Sequence, residues 1–314
     1  VLRLDAAALA GMLDYPSVIA ALGAAFRAGT VAPPRHHHHI AGGPGAPEGT
    51  MLLMPAWVPG RYLGVKVVNV FADNNAAGLP AVQGVYLLFS GQTGVPLATL
   101  DGAELTARRT AAASALAASY LARPDCERLL VVGTGRLAHH LAAAHATIRP
   151  IRAIEIWGRD PARAAAVAAG LAAAGLPATA TADLAEAVGR ADIVSCATLS
   201  RTPLVQGAWL RPGTHLDLVG GFTPAMRETD DTAIRRASVF IDTNGAIAEA
   251  GDIAAPLATG ILARGDIRAD LHALARATHP GRTAPGEITL FKSVGAAEED
   301  LAAAILAYER AMAA

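Results

Sequence analysis

Leu129-Leu-Val-Val-Gly-Thr-Gly-Arg-Leu-Ala138 is the stretch from which the fold is read. Its four leading apolar residues read as a buried strand, Gly133-x-Gly135-x-x-Ala138 follows, and the alanine-rich segment through about Ala146 has the composition of a helix. In a dinucleotide fold the first glycine makes the tight turn and the second lets a pyrophosphate approach the backbone. The third small residue lets the helix pack on the strand, and its N-terminal N–H groups face the phosphates. Gly133, Gly135 and Ala138 fit those roles, with Arg136 and Leu137 on the loop between them. In a chain with 31 glycines the pattern alone is weak; its strand-turn-helix setting carries the expectation.

The residues that follow extend this unit. Ile154-Glu-Ile-Trp-Gly158 reads as the second strand, and Asp160-Pro161 as a helix cap followed by proline at the first helical position. NAD-selective sites place an acidic residue at the end of this strand to bond the ribose 2′-hydroxyl. Gly158-Arg159 instead offers room and a guanidinium for a 2′-phosphate, with Arg163 either a second partner or a solvated residue. NADP(H) is therefore favoured, with NAD(H) the alternative. Further strands are expected at 192–197, 214–220 and 239–242 and helices at 183–190 and 228–236, giving a doubly wound parallel sheet of Rossmann type. Ligands of such sheets lie beyond the carboxyl ends of the strands, which assigns Ala197, Thr198, Val219, Gly220 and Gly221 to the cofactor. Asp217, inside a strand, reads as a paired core carboxylate, and residues 264–277 as a surface segment without readable chemistry.

Upstream the pattern changes. Residues 2–28 read as two short helices broken at Asp14-Tyr-Pro-Ser17, and Pro33-Pro34-Arg35 opens an extended segment. His36 to His39 follow; on a strand only alternate side chains share a face, so a structural or surface role stands against a metal site or a cloning scar. Short strands are expected at 50–55, 64–71, 84–89 and 96–101, separated by turns such as Asp73-Asn-Asn75, in a mostly antiparallel sheet. Within it Lys66 interrupts an apolar strand, so it either meets an anion or points to solvent. A long helix from about Leu105 to Leu121 carries Arg108 and Arg109, about 100° apart, of which one is expected to face inward as a carboxylate clamp and the other to be solvated.

Length and composition agree with two folded domains: 314 residues, 53% hydrophobic, 17% charged, net charge −1. No basic run points to nucleic acid and no uncharged apolar run is long enough to cross a membrane. The two cysteines, Cys126 and Cys196, lack a metal-type spacing and read as packing residues in a reducing, cytoplasmic setting.

Taken in order, Pro34-Arg35, Met54-Pro-Ala56, Lys66-x-Val-Asn69, Leu105-Thr-Ala-x-Arg-Thr-Ala-Ala112, the Gly133 motif and Ile288-Thr-Leu-Phe-Lys-Ser-Val-Gly295 resemble the ornithine cyclodeaminase/mu-crystallin family over nearly the whole chain. The resemblance implies a homodimer in which a mixed α+β substrate-binding and dimerisation domain, residues 1–113 with 288–314, holds an inserted nicotinamide-binding domain, residues 114–287. It implies that Arg35, Lys66 and Arg109 hold a substrate carboxylate, and that Ser293 lies near the nicotinamide. Two departures matter. Leu52 stands where ornithine-processing members have a glutamate for the substrate amine, and Phe222 where they have a catalytic aspartate. The 221–228 run instead resembles members that reduce cyclic imino acids such as 1-pyrroline-2-carboxylate. The expected reaction is hydride transfer to such an imine, its proton supplied by Lys66, Gln83 or water. The other readings are an amino-acid dehydrogenase, and a crystallin-like protein that binds NADP(H) and a small carboxylate without turnover.

Overall fold

Aspartates start the first two helices of the chain: Asp5 accepts from the Ala8 amide and Asp14 from that of Ser17, at 2.9 and 3.0 Å. They open α1 (Ala6–Met12) and α2 (Tyr15–Ala28), and Gly29, at φ +77°, ends α2. The computed structural model describes residues 1–43, 48–71, 73, 74 and 78–313; Asn75 of the expected 73–75 turn lies outside them. The chain divides into two units, residues 1–109 with 296–314, and residues 110–295.

In the first unit β1 (Leu2–Leu4), β2 (His36–Ile40), β3 (Gly49–Val58), β4 (Tyr62–Val70), β5 (Val82–Ser90) and β6 (Pro96–Asp101) form one sheet, ordered β1-β6-β5-β4-β3-β2. Pairing is antiparallel from β2 through to β6, and β1 joins β6 in parallel. The sequence reading omits β1, because three residues are too few to display a period of two. One face of the sheet buries Met54, Ala56, Lys66, Val68, Tyr86, Leu88, Ala98 and Leu100. The late helix α11 (Ala297–Ala313) packs on α2 and across β3, β4 and β5. On the other face Trp57, Leu63 and Val85 are exposed and Val65, Val67, Leu87 and Phe89 partly so.

The long helix α3 (Gly102–Leu121) contains the boundary between the units. After it come β7 (Arg128–Val132), α4 (Leu137–Ile148), β8 (Ala153–Trp157), α5 (Pro161–Ala173), β9 (Ala178–Ala180), α6 (Leu184–Arg190), β10 (Ile193–Cys196) and β11 (His215–Leu218). Then follow α7 (Asp231–Arg236), β12 (Ala237–Ile241), α8 (Gly245–Glu249), α9 (Gly251–Ala258), β13 (Ile267–Asp270), α10 (Leu271–Ala275) and β14 (Ile288–Lys292). The eight strands pair in parallel in the order β13-β12-β14-β11-β10-β7-β8-β9. The strand order reverses between β7 and β10, the place where a doubly wound sheet opens a crevice for ligand.

Three expectations need correction. Residues 288–292 do not accompany the C-terminal helix into the first unit; they form β14, fully buried between β11 and β12 as a central parallel strand. Residues 264–277 contain β13 and α10 and are not merely surface. Glu228 does not open a helix: the amides of Glu228 and Thr229 donate to Asp252 Oδ1 at 2.9 and 3.1 Å, and α7 begins at Asp231 under the Asp230 cap. Asp217 is a paired core carboxylate, accepting from Ser195 at 2.6 Å and Ser114 at 3.0 Å, with His145 at 3.3 Å. Both cysteines are free and buried.

Candidate active site

Gly133 follows β7 at φ +130°, and a Cβ there would lie 2.5 Å from the Ala197 carbonyl oxygen. Only glycine meets both conditions. Around a Cβ on Gly135, by contrast, there is nothing within 4 Å, so the backbone there is open to a close-fitting ligand. Helix α4 starts just beyond, and its N-cap residue, Arg136, makes no side-chain cap, whereas α5, α6 and α7 are capped by Asp160, Asp183 and Asp230. At α4 the Ala138 amide turns back to the Gly135 carbonyl at 3.0 Å, and with no carboxylate from its N-cap residue over it this helix N-terminus favours an anion. Leu137 is half-buried and Ala138 buried, the latter packed with Leu129 and Val131 of β7. These residues fit the pyrophosphate of a dinucleotide.

At the end of β8, a Cβ on Gly158 would meet the Thr134 methyl at 2.5 Å, so no carboxylate side chain stands at that position. The Asp160 carboxylate is spent on the α5 cap, accepting from Ala162 and Arg163 amides at 2.9 and 3.3 Å. Arg159 and Arg163 are exposed, and neither forms an ion pair among the described residues.

The loops after β10 and β11 meet at one buried carboxylate that sequence reasoning missed. Glu228 Oε1 accepts from the Thr198 amide (2.7 Å) and hydroxyl (2.9 Å), and Oε2 from the amides of Gly220 (2.8 Å) and Gly221 (3.3 Å). A Cβ on Gly220 would sit 2.0 Å from the Thr198 carbonyl oxygen, so the two loops touch backbone to backbone. Lys292, at the end of β14, is wholly buried with Nζ 3.8 Å from Glu228 and 3.7 Å from Asp252. Burial raises the Glu228 carboxyl to about 7; Lys292 opposes that rise and Asp252 adds to it. Val219 is buried, Ala197 half-buried, and Ser293 buried with its amide on the Leu218 carbonyl at 3.2 Å. Lys292, an ammonium directly after the apolar Leu290-Phe291, carries a sequence signal like that of Lys66.

In the first unit Lys66 is 2% exposed, which excludes the solvent-facing alternative. Its anion is Asp300 of α11: Nζ lies 2.9 Å from Oδ1 and 2.7 Å from Oδ2, and 3.4 Å from the Thr106 hydroxyl. Arg109 faces the same carboxylate, with Nε 2.8 Å from Asp300 Oδ1 and Nη1 2.6 Å from Glu299 Oε2. Its Nη2 makes no hydrogen bond among the described residues, and an ammonium with two partners keeps a third N–H. Burial and the neighbouring Arg109 lower Lys66 to about 8, Asp300 works against the shift, and Arg35, half-buried just before β2, adds to it. Glu299 and Asp300 were missed because Glu298-Glu299-Asp300 reads as the acidic first turn of a solvated helix.

Other expected residues fall elsewhere. Arg108 is not solvated: it bonds Glu104 at 2.6 Å and the Leu13 carbonyl at 2.9 Å. Gln83 shares its face with Val85 and Leu87, opposite Tyr86 and hence opposite Lys66, so the sheet separates it from the cation pair. Leu52 lies on the Lys66 face of β3, and Phe222 is 41% exposed. The four histidines lie exposed on edge strand β2, and among the described residues no group of three or more His, Cys, Asp or Glu is placed to hold a metal.

A sequence profile of the ornithine cyclodeaminase/mu-crystallin family matches residues 13–314. The chain is 42% identical over 259 residues to the Delta(1)-pyrroline-2-carboxylate reductase of Paracoccus denitrificans, covering 82% of each chain. Among solved structures it resembles the Thermococcus litoralis Delta(1)-pyrroline-2-carboxylate reductase in complex with NADH and L-proline, at TM-score 0.93 and 33% identity, over 100% of this chain and 98% of that one. An archaeal alanine dehydrogenase dimer with bound NAD superposes at TM-score 0.92 and 28% identity, over 100% and 96%.

Proposed function

Since this chain belongs to the ornithine cyclodeaminase/mu-crystallin family, we propose that it is an NAD(P)-dependent imino acid reductase acting on a small cyclic α-imino acid of the 1-pyrroline-2-carboxylate type. The observation that carries this reading is the buried pair Lys66 and Arg109, which keeps N–H donors in reserve after Asp300 and Glu299 are served. Buried donors call for acceptors, and a planar carboxylate suits a guanidinium edge beside an ammonium. Asp300 holds both cations in place, so that binding the substrate carboxylate requires little reordering. Arg35 completes the trio.

When bound, the dinucleotide supplies the hydride that reduces the imine carbon. The chain's own part is to seat the phosphates on the Gly133–Ala138 turn, to fix the loops at Thr198 and Gly220, and to hold the substrate carboxylate. The imine nitrogen must carry a proton when hydride arrives; of the expected sources Lys66 lies on the clamp face and Gln83 on the other, which leaves Lys66 or a bound water to supply it. NADP(H) is the preferred cofactor, supported by the exposed Arg159 and Arg163 and by the engagement of Asp160 in a helix cap. The protein works as a homodimer, a reading supported by the apolar outer face of the first unit's sheet and by the dimeric archaeal relative.

The test is NADPH absorbance decay with 1-pyrroline-2-carboxylate, with proline identified as product. Oxidation of alanine by NADP⁺ without imine reduction would instead make the chain an amino-acid dehydrogenase. Binding of NADPH with neither reaction would make it a carrier.

A further inference from the structure

The second unit spends an unusual amount of buried charge on a place where no substrate group is expected. Glu228, Asp252 and Lys292 are each fully buried, and Lys292 Nζ and Asp252 Oδ2 have no hydrogen-bond partner among the described residues. Burying two carboxylates on one ammonium is costly, and a structural core would be served as well by apolar side chains. What apolar side chains cannot do is accept four hydrogen bonds. Glu228 accepts them from two separate loops, one after β10 and one after β11, which flank the carboxyl edge of adjacent central strands.

We propose that Glu228 is a positioning residue for the dinucleotide: its carboxylate straps the Thr198 loop to the Gly220-Gly221 loop, and only the ionised form accepts all four bonds. This rests on the assignment of those loops to the cofactor. A protonated carboxyl turns one acceptor site into a donor, whereas the three facing amides of Thr198, Gly220 and Gly221 can only donate and the Thr198 hydroxyl alone could accept in return. The charged and titratable groups around Glu228 are Asp252 from α9, Lys292 from β14 and the Cys196 thiol from β10; the adjacent Arg227 turns away to Asp231 at 2.8 Å. Lys292 favours the ionised strap and Asp252 opposes it. Protonation of Glu228, whose carboxyl is raised to about 7, therefore loosens both loops together as pH falls through neutrality.

The probe is NADH, followed by fluorescence titration from about pH 5.5 to 8.5, because a 2′-phosphate would itself titrate near 6. In the unaltered protein NADH affinity is expected to fall about tenfold toward the acid end. Glu228→Gln removes two or more of the acceptor bonds, so its NADH affinity should be about tenfold weaker at the alkaline end and flat with pH. Lys292→Met, which removes the counter-charge, should move the midpoint to higher pH while keeping the transition. A role in folding alone would lower the melting temperature of these variants without abolishing or moving a pH midpoint. If Glu228→Gln does not fold, amide exchange in the unaltered protein decides: the protection of Thr198, Gly220 and Gly221, corrected for intrinsic rates, should drop together below neutrality. Failure of the unaltered protein to bind either NADH or NADPH would overturn the dinucleotide assignment itself. Tight NADH binding that is independent of pH, with those amides equally protected throughout, would overturn the strap alone.

Discussion

Lys66 and Arg109 differ from ordinary surface cations because each is buried against a carboxylate that is itself buried. Removing one partner leaves the other uncompensated, so Arg109→Ala is expected to lower kcat/KM on the imino acid by at least about a hundredfold. NADPH affinity in the same variant should be nearly unchanged, since the cofactor residues belong to the other unit; isothermal titration beside steady-state kinetics checks both halves. Lys66 must be charged to hold the carboxylate, and its ammonium is lowered to about 8. The sign follows: kcat/KM should be level below that pH and fall, by about tenfold per unit, above it. A profile that rises through pH 8 would mean that the neutral amine is the working form. Arg159 is exposed and unpaired among the described residues, so Arg159→Ala should narrow the preference for NADPH over NADH by about tenfold, read from the two dissociation constants. An unaltered protein that binds NADH as tightly as NADPH would refute the preference outright.

At the scale of elements, the outer face of the six-stranded sheet is the feature to explain. Strands with one buried face normally alternate apolar with polar, yet here Leu63, Val65, Val67, Val85, Leu87 and Phe89 turn outward as well. A second copy is the expected cover, so Val65→Lys with Leu87→Lys should shift the protein from dimer to monomer by light scattering while leaving the first unit folded. The same alternation shows how much of the fold the residues disclose. Long runs were legible: the apolar strand and glycine turn at Leu129–Ala138, the helix break at Asp14, the capping Asp160, and the four central strands of the mixed sheet all follow from local pattern. Lys66 was legible as a cation needing an anion, but not its partner, because Asp300 is 234 residues away and pattern carries no information at that range. Glu228 was misread for a related reason. Its amide looks free to start a helix until Asp252, from a later element, takes it.

For the whole molecule, the absent groups are as informative as the present ones. Ornithine carries a second ammonium, and Leu52 on the Lys66 face gives it no counter-charge. Phe222 offers no acid or base, which removes a contribution of about 10²–10⁴ to the proton transfers of deamination. Ammonia release from ornithine should therefore be undetectable under conditions where imine reduction is rapid; a coupled ammonia assay on one enzyme stock makes the comparison. The arrangement of α11 has one more consequence, for synthesis. The sheet of the first unit is made by residue 101, but the helix that seats Asp300 against Lys66 emerges only after residues 110–295. At about 5–20 residues per second, the nascent sheet waits roughly ten to forty seconds with a buried-type lysine uncompensated. Only at the end of that interval, with β14, does the later-made unit gain its last strand, and α11 is still to come, so the portion translated first is the portion that finishes folding last.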